Sequence, residues 1–181
     1  ASHCFDLLMR LNGDVPVSWV QAHLSGAVDW DGELLKNDPI GHGIIQFENG
    51  VTGYALNSGR GLEVEAVGKD GVVTALLNGE DWQVREVVGQ DHRGRNVLGA
   101  GKFPDFDVTS STVCLIEDLV QALDTGNPTR CGVRLARANQ ELIFAFIESH
   151  QRGGARVDLP LTESRYRLAR DFAPRQPKFQ A

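Results

Sequence analysis

The chain has 181 residues, 41% of them hydrophobic and 23% charged, with 24 acidic against 18 basic side chains and a net charge of −6. At about 100–200 residues per domain this allows one domain or one core with an appendage, and the composition excludes a mainly disordered chain. No apolar run approaches the roughly 18 residues of a membrane span, the first residues do not read as a signal peptide, and the glycines lack the period of collagen.

Phe5, Leu7, Leu8, Met9 and Leu11 cluster ahead of Asn12-Gly13, which predicts a helix closed by a left-handed glycine. Val15 to Leu24 then alternates apolar and polar, the period of a strand. Residues 26–39, ending in Asp38-Pro39, read as loop. Ile44–Phe47 and Val51–Leu56 flank Glu48-Asn49-Gly50, where Asn-Gly predicts a hairpin with a tight type I′ turn. Leu62–Val67 and Val72–Leu76 flank Lys69-Asp70-Gly71, and Asn78-Gly79 leads into Trp82–Val87. Alternating segments joined by such turns imply an antiparallel meander, because parallel neighbours need long crossovers. Residues 89–108, rich in Gly, Asp and Arg, read as a long loop. Val113, Ile116, Val120 and Leu123 recur at helical spacing before Gly126 and Pro128. Leu135, Ala138, Leu142, Ala145 and Phe146 mark a further helix from about Val133 to His150. One apolar stripe per helix suits helices lying on a sheet, so the expected class is α+β: a largely antiparallel open sheet with helices packed on one face.

Residues 1–161 form the expected body and 162–181 an irregular basic tail. From Glu163 onward Arg165, Arg167, Arg170, Arg175 and Lys178 stand against Glu163 and Asp171. A solvated tail beside an acidic body explains that charge, so no nucleic-acid partner is inferred. Cys4, Cys114 and Cys131 have no C-x-x-C spacing and read as reduced, mostly buried thiols of a cytoplasmic protein.

Most catalytic signatures are missing. No G-x-G-x-x-G joins a strand to a helix, and there is no Walker lysine motif, G-x-S-x-G or H-E-x-x-H. The histidines at 3, 23, 42, 92 and 150 have no metal-ligand spacing, so no metal is expected. One constellation stands out, Ser2-His3-Cys4-Phe5-Asp6-Leu7-Leu8. His3 and Asp6 are three apart, so on a helix both reach one pocket. A histidine beside a carboxylate suits proton transfer near neutral pH, although the same pair also suits a helix cap with a surface residue.

The stretch from Ser2 to Gly13 resembles the segment that opens the C-terminal domain of the Gfo/Idh/MocA oxidoreductases. Later stretches resemble that family in the same order: Ile45 to Gly53, Leu62 to Val72, Leu119 to Pro128, and Ala145 to Ser149 before Val157-Asp158-Leu159-Pro160. Together they span residues 2 to about 161, most of the chain. The resemblance implies the fold of a dihydrodipicolinate-reductase-like C-terminal domain, which walls the substrate site and forms oligomers through its open sheet. It implies His3 as the acid/base that takes a proton from a substrate hydroxyl as hydride leaves for nicotinamide, and Asp6 as a neighbouring substrate-binding carboxylate. Substrates of such enzymes are sugars, polyols or related hydroxy compounds. NAD or NADP belongs to an N-terminal Rossmann domain expected upstream of residue 1, as does the family's Glu-Lys-Pro lysine. This chain alone is therefore expected to hold no cofactor and to be inactive by itself. The alternative is a non-catalytic binding or scaffold module of the same fold.

Overall fold

The computed structural model describes residues 2–25, 30–31, 34–35, 40–56, 61–76, 79–106, 109–163 and 167–168. The chain forms two compact units, one of residues 1–57 with 134–181 and one of residues 58–133, so the expected 1–161 body contains parts of both.

In the first unit, helix α1 (Ser2–Leu11) precedes strand β1 (Val17–Ser25). Gly13 takes a φ of 70° just after the helix, as the Asn-Gly stop requires. Strands β4 (Ile40–Phe47) and β5 (Thr52–Ala55) follow, and helix α3 (Val133–Gln151) leads to β10 (Val157–Asp158). These strands make an antiparallel sheet in the order β10-β1-β4-β5. Alternation puts Val20, Ala22, Ile45, Phe47 and Ala55 on one face, where Phe5, Met9, Leu142, Ala145 and Phe146 bury them. Helices α1 and α3 thus cover one face, as expected of an α+β fold.

The β4–β5 hairpin differs from the expected turn. Phe47 and Val51 bracket a three-residue loop, Phe47 N–H donating to the Val51 carbonyl at 2.9 Å. Gly50 has a φ of 87°, and among the described residues the only non-glycine at positive φ is Asp14. A type I′ turn needs two adjacent positive-φ residues, so Asn49 does not take the role that turn would give it. Its side chain accepts instead from the Val51 amide.

Two short strands, β2 (Trp30–Asp31) and β3 (Leu34–Leu35), lie inside the segment expected to be loop, and β11 (Arg167–Leu168) within the basic tail runs parallel to β3. Apart from residues 162–163, the rest of both segments, including Asp38-Pro39, lies outside the described residues.

The second unit is the meander. Strands β6 (Val64–Val67), β7 (Gly71–Leu76), β8 (Asp81–Gln90) and β9 (Asn96–Ala100) are neighbours in that order, all antiparallel. The long loop expected over 89–108 is therefore a correction: its first half is the end of β8, a hairpin and β9. Asp91 makes the hairpin by accepting from the Arg93 and Arg95 amides at 2.7 and 2.9 Å, with Gly94 at a φ of 73°. Polar composition marked this as irregular, but an Asx turn is built from the same residues. Trp82 stacks on Phe103 at 4.4 Å, and Phe106 meets both rings edge-on.

Helix α2 (Ser111–Thr125) closes on Gly126 in the left-handed conformation. Its stripe of Val113, Ile116, Val120 and Leu123 is exposed, unlike that of α3. The cysteines also depart from the buried thiols expected: Cys4 is half-buried, while Cys114 and Cys131 are exposed.

Candidate functional site

Helix α1 carries both sequence-predicted site residues. His3 is exposed and Asp6 half-buried, one turn apart, and among the described residues no hydrogen bond joins them. Between them Cys4 packs against the core, and burial pushes its thiol pKa up, which keeps it protonated rather than nucleophilic.

Three contacts fix α1. The Phe5 and Phe146 rings meet at 4.6 Å, anchoring the middle of the helix on α3. At its end, Asn12 and Asn49 exchange amide hydrogen bonds of 3.3 and 3.0 Å, joining the helix stop to the β4–β5 hairpin. At its start, Asn139 Nδ2 of α3 donates to the Ser2 carbonyl at 2.9 Å. Two of the motifs that carry the family resemblance, Asn12-Gly13 and Glu48-Asn49-Gly50, thus touch each other through their asparagines.

The Glu148-Ser149 motif also acquires a physical role. Strand β10 pairs with β1 only at Trp19 and Val20, which leaves the edge of β1 open beyond them. There the Ala22 amide donates to Ser149 Oγ at 2.8 Å and the Leu24 amide to His150 Nδ1 at 3.3 Å. Ser149, fully buried, donates its own hydroxyl hydrogen bond to the Ala155 carbonyl at 2.6 Å. Side chains of α3 therefore replace a missing strand, so the buried edge amides are not left unpaired. The other histidines are placed structurally too: His23 and His42 are cross-strand neighbours with rings 6.1 Å apart.

A recess of about 470 Å³ lies where α3 ends beside β10, lined by Glu148, Arg152, Arg156, Asp158, Leu161 and Glu163 among others. Each arginine is paired, Arg152 with Glu148 and Arg156 with Asp158, both at 2.6 Å. His3 and Asp6 do not line it. Among the described residues no cluster of three or more His, Cys, Asp or Glu side chains could hold a metal ion, and no helix is long and apolar enough to cross a membrane. Nor do these residues fit a dinucleotide: parallel pairing among the described strands is confined to β3 and β11, with no glycine-rich turn leading from a parallel strand into a helix.

Solved structures decide the fold. Aldose-aldose oxidoreductase from Caulobacter crescentus, complexed with glycerol, matches with a TM-score of 0.66 at 16% identity, over 87% of this chain and 45% of that one. Levoglucosan dehydrogenase, in complex with NADH and L-sorbose, matches at 0.58 and 21% identity, over 88% and 48%. WlbA dehydrogenase from Bordetella pertussis, in complex with NADH and UDP-GlcNAcA, matches at 0.57 and 19% identity, over 89% and 44%. The chain shares its fold with these structures, which are Gfo/Idh/MocA-type oxidoreductases, over a span consistent with a C-terminal domain. It spans about half the length of the structures it matches. No protein-family model and no curated protein matches the sequence.

The residue that sequence reasoning missed is Asn139. The available signal was its position, three residues before Leu142 and seven before Phe146, which places an amide in line with the buried stripe of α3.

Proposed function

We propose that this chain is the substrate-binding and oligomerisation domain of a cytoplasmic NAD(P)-dependent oxidoreductase acting on a sugar, polyol or related hydroxy compound. It is not active alone. The observation that carries this reading is the placement of α1: in a fold shared with sugar-acting dehydrogenases, the helix is tied down at its start, middle and end, yet presents His3 outward. His3 accepts the proton of a substrate hydroxyl on an imidazole nitrogen, and Asp6 takes a hydrogen bond from a neighbouring hydroxyl. The nicotinamide cofactor supplies the hydride chemistry when bound, and it is held by a separate Rossmann domain rather than by residues 1–161 or the basic tail. A non-catalytic module of the same fold would need the fixing of α1 but not the imidazole, so replacing His3 separates the two readings.

Calorimetric titration of the chain with NADH and NADPH is expected to show no specific binding, because the described residues form no βαβ turn whose amides could hold a pyrophosphate. Micromolar binding would sink the division of labour. The oligomer reading rests on the face of the first unit's sheet that α1 and α3 do not cover. Trp19, Ile44 and Tyr54 lie across that face in register with Gln21, Gln46 and Thr52, and Tyr54 is 61% exposed. A second copy related by a two-fold axis buries such a face most simply. Light scattering at micromolar concentration should give about twice the 19.8 kDa chain mass, and a strict monomer would defeat it.

A further inference from the structure

We infer that Asn139 is a positioning residue for His3, an inference that rests on the proposed acid/base role. Asn139 lies on the side of α3 that meets α1, in line with buried Leu142 and Phe146. Its Nδ2 donates to the Ser2 carbonyl at 2.9 Å, while its Oδ1 is shielded from solvent and has no hydrogen-bond partner among the described residues. The orientation of the amide follows from chemistry, since a carbonyl only accepts and Nδ2 must face it. A shielded amide oxygen left without a partner costs folding free energy, and an apolar side chain would continue the stripe without that cost. A residue that breaks the local rule without strengthening the fold points to a role in the site.

The Ser2 carbonyl is where that role acts. It belongs to the peptide unit that includes the His3 nitrogen. In a helix beginning at Ser2 it is also the acceptor for the Asp6 amide four residues on, through its other lone pair. Asn139 therefore fixes the single peptide group through which both His3 and Asp6 are oriented. First turns of helices fray readily, and this one bears its site residues in that turn. The tilted Phe5–Phe146 contact and the packing of Cys4 hold the inner side of the helix but leave its first peptide group free to turn or open. Asn139 removes that freedom.

In the complete enzyme, Asn139→Ala and the isosteric, donor-free Asn139→Asp are each expected to lower kcat about tenfold while KM stays within about twofold. Asn139→Ala should leave the melting temperature within about 3 °C, since a better helix former replaces a half-satisfied amide. On a His3→Ala background the same substitution should cost clearly less turnover, the remainder being its effect through Asp6. In the chain by itself, amide hydrogen exchange should quicken at Asp6 and stay unchanged at Met9 and Arg10. If His3→Ala lowers turnover but Asn139→Ala does not, or lowers it equally on both backgrounds, the positioning role is overturned and the acid/base reading stands. If His3→Ala has no effect, the acid/base reading falls and this inference with it. Unchanged Asp6 exchange would also overturn it.

Discussion

His3→Ala is expected to lower turnover about 100-fold or more in the complete enzyme, with little change in cofactor affinity. The size follows from the step assigned to the imidazole. A positioned base that takes a hydroxyl proton contributes typically about 10²–10⁴-fold, and no other group among the described residues of α1 can take over. Asp6 is a carboxylate one turn away, but it is half-buried and unconnected to His3 by any hydrogen bond among the described residues. Cys4 faces the core, where burial favours its neutral thiol. Steady-state kinetics under conditions where chemistry limits the rate is the measurement. Stability should be unaffected, because His3 is exposed and no described residue leans on its ring. Unchanged turnover would make His3 an ordinary first-turn residue and favour the non-catalytic module.

The parts of this fold that were legible in the sequence are those governed by local periodicity. Helices α1, α2 and α3 stop at Gly13, Gly126 and before Gly153, residues whose positive φ ends a helix whatever the tertiary setting. The alternation of β1 was equally local. What could not be read depended on the partner surface. Strand β9 was missed because Asn96–Ala100 has weak alternation, and it becomes a strand by pairing with the adjoining C-terminal half of β8 across the Asp91 turn. The α2 and α3 stripes look alike in sequence, yet only that of α3 is buried, because burial requires an opposing surface and not merely an amphipathic helix. The site divides the same way. His3 and Asp6 were visible as a spaced pair and as part of a family motif. Asn139 and Ser149 act across 137 and 127 residues of chain, on Ser2 and Ala22 respectively, so the α3 stripe and the Glu-Ser motif marked their places but not their partners.

Gly43→Ala should be strongly destabilising, costing about 3 kcal/mol and lowering the melting temperature by roughly 10 °C. Gly43 sits buried in β4 between Ala22 of β1 and Ala55 of β5, which are its register partners. This row of small residues across three strands is the seat for the Phe146 ring. A β-carbon at 43 would lie 2.5 Å from the Gln21 carbonyl oxygen and 2.6 Å from Phe146 Cε1. The first neighbour is backbone of a paired strand and cannot step aside, and the second is braced from behind by Phe5 at 4.6 Å. Relief must therefore come from lifting α3 off the sheet, and α1 moves with it. Gly53→Ala is the control: it is also buried on this sheet, but its nearest contact would be an ordinary 3.4 Å to the Phe47 ring, so a loss under about 1 kcal/mol is expected. Thermal denaturation of the two variants measures the difference. Equal melting temperatures would mean that Phe146 is not seated on Gly43, and with that the bracing of α1 through Phe5 would lose its foundation.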